Sequence, residues 1–246
     1  VPKRAYFLIY AGQGAVSCHH SIALFFVVHP SFYLTMPKDF PLAKEAVDSS
    51  AFRAALRREK LAARAALLSA DYAQRSAALE RHLADYLASH AQTSHAKSHA
   101  APRLPSIAFC AAIKNEFDAR PVIARLLQHG WQAAMPVVIA PDTAMIFRAW
   151  QPDTPMTQDC YGIPIPATGR QVLPDIVLLP LVAFDAVGYR LGYGGGYFDR
   201  TLAAQVPRPL AIGVGFELAR VPSILPQAHD EPLDAIVTEA GIAFQR

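Results

Sequence analysis

The sequence predicts an α/β protein, with helices packed on both faces of a mostly parallel sheet. Three observations predict it. Short apolar runs alternate with helix-patterned segments from residue 49 onward. Apolar residues make up 52% of the chain and charged residues 17%, which supplies a sizeable core and excludes global disorder. A glycine-rich loop follows the apolar run Ile176–Pro180 and precedes a helix start, where open parallel sheets put their ligand sites.

The elements follow in order. Residues 49–68 and 71–90 read as helices, because Phe52, Leu56, Leu61, Leu67 and Leu68 recur at roughly helical spacing among many alanines. Ser69-Ala-Asp71 between them is a break followed by a cap. Residues 92–103, rich in Ser, Ala, His and Pro, read as a linker. His95 and His99 lie there four apart, but no carboxylate or cysteine accompanies them, so a solvated tract is favoured over a metal pair. Residues 107–113 read as a strand. Residues 121–129 read as an amphipathic helix, with Pro121 in its first turn and Gly130 ending it. Residues 131–140 and 144–150 are strands, and 152–174 is proline-rich and irregular. Residues 176–181, 209–214 and 235–238 are three more strands.

Residues 1–48 stand apart. The apolar run 22–28, with Lys3 and Arg4 upstream, resembles a signal-peptide core, but 31–38 offers no small-x-small cleavage site. It is too short to span a bilayer. The expectation is a poorly ordered extension over 1–48, followed by a single domain over 49–246. A start choice upstream of Met36 would account for the extension.

Composition also narrows the partners. A net charge of +3 is too mild to argue for nucleic acid, though it suits a pocket that receives anions. Cys18, Cys110 and Cys160 are far apart and make neither a disulfide framework nor a zinc site. The expectation is a monomer of the reducing cytoplasm, with no membrane partner.

Residues 181–202, LVAFDAVGYRLGYGGGYFDRTL, hold five of the chain's 13 glycines. Glycines at this density let main-chain N–H groups converge on one point, and a helix N-terminus just beyond adds partial positive charge. Together they make an anion seat, most naturally for a phosphate chain. Arg190 and Arg200 flank it, and Asp199 stands at its exit, where a metal ion can be held against phosphate oxygens. Interleaved Tyr189, Tyr193, Tyr197 and Phe198 argue for a loop packed at both ends rather than a flexible linker. No Gly-Lys-Ser/Thr follows at Walker A spacing, and Tyr197 stands where a dinucleotide fingerprint needs its third glycine.

The stretch PLVAFDAVGYRLGYGGGYFDR, residues 180–200, closely resembles the signature of 5-formyltetrahydrofolate cyclo-ligases, the methenyltetrahydrofolate synthetases. Other segments resemble the same family in the same order. They are FRAALRREKLAAR at 52–64, Asn115-Glu116-Phe117-Asp118, Tyr161-Gly162-Ile163-Pro164, and HDEPLDAIVTE at 229–239. The resemblance covers roughly residues 50–240.

The resemblance implies a three-layer α/β/α fold with a central, mostly parallel sheet. It implies an enzyme that uses ATP and Mg2+ to convert 5-formyltetrahydrofolate into 5,10-methenyltetrahydrofolate, releasing ADP and phosphate. By matching positions, Arg190, Leu191, Gly192, Tyr193, Gly194, Gly195, Gly196, Tyr197 and Phe198 would cradle the ATP phosphates, with Arg57 reaching them from the N-terminal helix. Arg53 stands where the family usually has lysine. Arg190 and Asp199 would act in catalysis, and Asp199 and Asp230 would hold the metal. Glu116, Tyr193 and Tyr197 would contact the folate.

Each assignment has a duller rival. Arg53, Arg57, Arg58, Lys60 and Arg64 would look the same on a solvated basic helix face. Glu116 and Asp199 would serve as first-turn helix acids, Asp230 and His229 as turn residues before Pro232. Asp185 would fix its turn through main-chain N–H groups rather than touch a ligand. At the level of function, the rivals are a sugar-phosphate or acyl-CoA enzyme needing no ATP, and a non-catalytic folate-, nucleotide- or RNA-binding relative of the same fold.

Overall fold

The computed structural model describes residues 48–95 and 105–246, all within the compact unit Ala46–Arg246. The expected extension, apart from residue 48, and most of the expected linker lie outside the described residues, as does the side chain of His95.

Two helices open the described chain, α1 (Ser49–Ala65) and α2 (Ser69–His95). Next come β1 (Ser106–Ala108), α3 (Arg120–Gln128), β2 (Gln132–Val137) and β3 (Ile146–Trp150). A small hairpin, β4 (Met156–Gln158) and β5 (Pro164–Pro166), leads to β6 (Ile176–Pro180). A second hairpin, β7 (Ala183–Phe184) and β8 (Arg190–Leu191), leads to α4 (Tyr197–Ala204). The chain closes with β9 (Leu210–Val214), β10 (Ala235–Thr238) and β11 (Gly241–Gln245).

The described residues form a seven-stranded sheet in the order β11-β10-β9-β6-β1-β2-β3. Its five central strands run parallel, and only the edge strands β3 and β11 pair antiparallel. The period-two alternation of side chains divides the core in two. Ile107, Ala133, Met135, Ile176, Leu178, Ile212 and Val237 pack with Leu79, Leu83 and Leu87 of α2 and Val122 and Ile123 of α3. Ala108, Ala134, Val177, Leu179, Ala211 and Ile236 face the other way, toward Phe184 and Leu202 of α4. The α/β fold and its mostly parallel sheet are as expected.

Local differences from the expected elements have physical causes. The strand expected over 107–113 pairs only as far as Ala108, because the chain leaves the sheet toward a turn in which Lys114 (φ 50°) and Asn115 (φ 58°) are both left-handed. Residues 152–174, expected to be irregular, contain the β4–β5 hairpin, whose edge prolines Pro164 and Pro166 hide its strand signal. Helix α2 runs on to His95, into the segment read as a linker.

Leu83 is fully buried between α2 and the sheet. Leu83→Ala is expected to cost about 2–5 kcal/mol, read as a lowered urea midpoint.

Candidate active site

A cavity of about 690 Å³ opens at the C-terminal ends of β1, β2 and β6. Residues just beyond β1 (Cys110, Ala111), at the end of β2 (Pro136) and at the end of β6 (Pro180) form part of its wall. The glycine loop, the turn bearing Glu116, helix α1 and the segment 227–230 complete it.

The loop combines unusual backbone conformations with main-chain amides that no protein acceptor takes among the described residues. Gly194 (φ 107°) and Gly196 (φ 63°) take left-handed conformations that L side chains rarely adopt. Gly196 caps α4, whose first N–H groups have no partner within the helix. Among the described residues, no protein acceptor takes the N–H groups of Gly194, Gly195, Gly196, Tyr197 or Phe198. The carbonyls are held instead. Arg57 Nε donates to Gly192 O at 2.9 Å, and Arg200 Nη2 donates to Gly195 O at 2.6 Å. Since the peptide is planar and trans, fixing the Gly195 carbonyl on Arg200 aims the Gly196 N–H the opposite way. The structure thus seats Gly192, Tyr193, Gly194, Gly195, Gly196, Tyr197 and Phe198 on the cavity wall. Leu191 is different: its side chain is buried with Leu56, Ala183 and Ile224 and anchors the loop from behind.

Helix α1 turns its basic residues inward. Arg53 and Arg64 are buried, Arg57 and Lys60 half-buried, and Arg58 exposed. The spacing 53-57-60-64 is the spacing of a core stripe, occupied by cations. The solvated-face reading therefore fails for four of the five residues. Each buried cation has partners. Arg53 forms an ion pair with Asp230, with Nη2 to Oδ1 at 2.9 Å. Lys60 donates to Leu218 O at 3.1 Å.

Arg57 has no acidic partner of its own among the described residues. Burial lowers its pKa from the usual value and the neighbouring Arg53 adds repulsion, while Asp230 offsets part of this. An arriving anion would offset that repulsion.

The two expected metal ligands are both in the cavity wall, each tied to an arginine. Asp199 Oδ1 accepts from Arg190 Nη1 at 2.9 Å and from the Glu231 N–H at 3.2 Å. Among the described residues no donor reaches Asp199 Oδ2. Both Asp230 oxygens are occupied: Arg53 takes both, and the Gln227 N–H adds a bond to Oδ2 at 2.7 Å. Burial works against the Asp230 charge, but Arg53, Gln227 and His229 outweigh it and hold the carboxyl below the usual range. A shared site with both carboxylates free toward one cation is not what the structure presents. Among the described residues, no group of three or more His, Cys, Asp or Glu converges on a metal position.

The left-handed turn at Lys114 and Asn115 leads into Glu116, which lines the cavity beside the glycine loop. Glu116 Oε2 accepts from the Ile113 N–H at 3.0 Å, and Oε1 accepts from the Tyr193 hydroxyl at 2.7 Å. Burial raises the Glu116 pKa, against the opposing pull of Tyr193, Ile113, Arg64 and Lys114. Tyr197 sits at the cavity mouth, its hydroxyl 2.8 Å from that of Tyr161. Tyr161 and Lys114 were not singled out from sequence as site residues, and nor was Arg64. The basic stripe spacing was the available signal for Arg64. Asp185 does what its turn requires, accepting from the N–H groups of Val187 and Tyr189 at 3.2 and 3.0 Å.

Fold and site together define an α/β protein with a glycine-rich loop lining a cavity at the C-terminal edge of a parallel sheet. The chain belongs to the 5-formyltetrahydrofolate cyclo-ligase family, whose model matches residues 49–239. It is 35% identical over 136 residues to the 5-formyltetrahydrofolate cyclo-ligase of Haemophilus influenzae, covering 52% of this chain and 72% of that one. It is 32% identical over 145 residues to the Escherichia coli K12 enzyme of the same name, covering 56% and 79%. Among solved structures, the 5,10-methenyltetrahydrofolate synthetase of Aquifex aeolicus superposes with a TM-score of 0.60 at 26% identity, over 79% of this chain and 92% of that one. The corresponding protein of Mycoplasma pneumoniae gives 0.59 at 26% identity, over 76% and 98%.

Asp230→Asn leaves the Arg53 guanidinium buried without its counter-charge, and is expected to cost roughly 3 kcal/mol at pH 7. The folded-state pKa of Asp230 is the lower one, so its contribution is full above 3.8 and fades as pH falls through the folded value. Urea midpoints of wild type and variant should therefore differ at neutral pH and converge in acid.

Proposed function

We propose that this protein is an ATP- and magnesium-dependent enzyme that converts 5-formyltetrahydrofolate into 5,10-methenyltetrahydrofolate, releasing ADP and phosphate. Family membership and the names of the relatives support the reaction. One observation carries it. The open amides of residues 194–198 and the Glu116–Tyr193 pair share one cavity, so an anion seat adjoins a polar subsite fit for a pterin's donor groups.

The N5-formyl group is an amide whose oxygen leaves poorly. Attack of that oxygen on the γ-phosphorus, with departure of ADP, turns it into a phosphate leaving group. N10 then attacks the formyl carbon and the ring closes. The carbon–oxygen bond to phosphate breaks, and the N10 proton passes to water. Such a reaction asks a protein for positioning and charge neutralisation rather than a nucleophile. Arg57, the loop amides and the N-terminus of α4 would hold the phosphates. Arg190, above the Phe198 ring and paired to Asp199, would face the transferring group. Asp199 Oδ2 fits magnesium as one ligand beside phosphate oxygens, whereas Asp230 fits only by releasing Arg53. A magnesium ion there would neutralise phosphate charge. Glu116 and Tyr193 would orient the pterin, with Tyr197 at the mouth.

This reading takes residues 49–246 as sufficient for activity and the protein as a cytoplasmic monomer. The free thiols Cys110 and Cys160 suit a reducing compartment.

The test is the absorbance of methenyl-folate formed by wild type with and without ATP and magnesium. Turnover is expected only with both. Binding of folate without turnover would instead indicate a non-catalytic relative. Asp199→Asn should lower kcat at least as much as outer partners of metal sites do, about 10–100-fold, in the same assay. Gly194→Val forces a β-branched residue into the left-handed region and places its Cβ 3.5 Å from the Arg57 guanidinium, so the KM for ATP should rise.

A further inference from the structure

We infer that Arg64 is a positioning residue that holds Tyr193 and Glu116 in the geometry the folate subsite needs. This rests on the folate reading above. The residue is buried, at 5% exposure, although it is a full cation on a helix with solvent on its other face. Its guanidinium spans the gap between three separate segments. Nη2 donates to the Tyr193 hydroxyl at 2.6 Å and lies 3.6 Å from Glu116 Oε1. Nε donates to Lys114 O at 2.9 Å, at the left-handed turn that presents Glu116. Nη1 donates to Leu181 O at 3.0 Å, just past β6.

The Tyr193 hydroxyl accepts from Arg64 and donates to Glu116, so its one proton has a fixed direction. That polarity keeps Glu116 Oε1 on Tyr193, and both residues line the cavity. Arg64 does not line the cavity itself. It acts through Tyr193 and Glu116, not on the ligand. Lysine cannot replace it, because one ammonium cannot serve three fixed acceptors in a fork.

The experiment is calorimetric titration of wild type, Arg64→Lys, Tyr193→Phe and the double variant with 5-formyltetrahydrofolate, and separately with ATP. Wild type that does not bind the folate sinks the functional reading itself. If wild type binds, each single variant should lose about tenfold in folate affinity, the scale of one charge-assisted hydrogen bond. The double variant should lose little more than either single one, because both changes break the same link. ATP affinity of Arg64→Lys should stay within about twofold of wild type. Multiplicative losses, an unchanged folate affinity in Arg64→Lys, or an equal loss for ATP in that variant would each overturn the proposal. Failure of both Arg64→Lys and Arg64→Gln to fold would also overturn it, since Arg64 would then be a folding residue.

Discussion

The inward basic stripe of α1 is the constraint on which the site depends. Buried guanidinium groups are costly unless every one finds partners in good geometry. Arg53, Arg57, Lys60 and Arg64 find theirs on four different segments: the 225–230 region, the glycine loop, the turn at Leu218, and the turn at Lys114. Satisfying the helix therefore fixes the relative placement of loops that are distant in sequence. A single apolar helix face would bury as well, but it would not specify which loop meets which residue.

The sheet supplies the complementary rigidity. Its central strands end at one edge, and the chain leaves them in conformations that strands cannot take. Lys114 and Asn115 are left-handed, as are Gly194 and Gly196. These positions forfeit regular pairing, and Lys114, Gly194 and Gly196 all line the same cavity. The hairpin β7–β8 ties the glycine loop back, with Leu191 sunk beside Leu56 of α1. The loop is thus held at both ends, which is why its amides stay open without collapsing on the protein's own acceptors.

Charge within the cavity is largely balanced before any ligand arrives. Asp230 answers Arg53, Asp199 answers Arg190, and Glu116 answers Arg64. Arg57 has no such counter-charge of its own among the described residues, being bonded to a carbonyl and repelled by its neighbour. Among the described residues of the cavity wall, Arg57 and Lys114 form no ion pair, and Asp199 Oδ2 has no donor. The balance limits the desolvation cost of the empty cavity while leaving a directed demand for negative charge.

Sequence alone determined the α/β class, because strand runs and helix patterns alternate and each strand's own residues carry the signal. It also located the glycine loop and the helix start that follows it, since glycine density and a helix start are local features. Asp185 as a turn-fixing residue was legible for the same reason. What only the tertiary structure decided was which side chains meet. Arg64 reads as one more basic residue until the turn bearing Glu116 is folded against it, and Asp230 reads as a metal ligand until Arg53 is seen to occupy both its oxygens. Those contacts join residues 177 and 129 positions apart. No local pattern encodes such pairings, because their energy comes from desolvation and geometry that exist only once the chain has closed on itself.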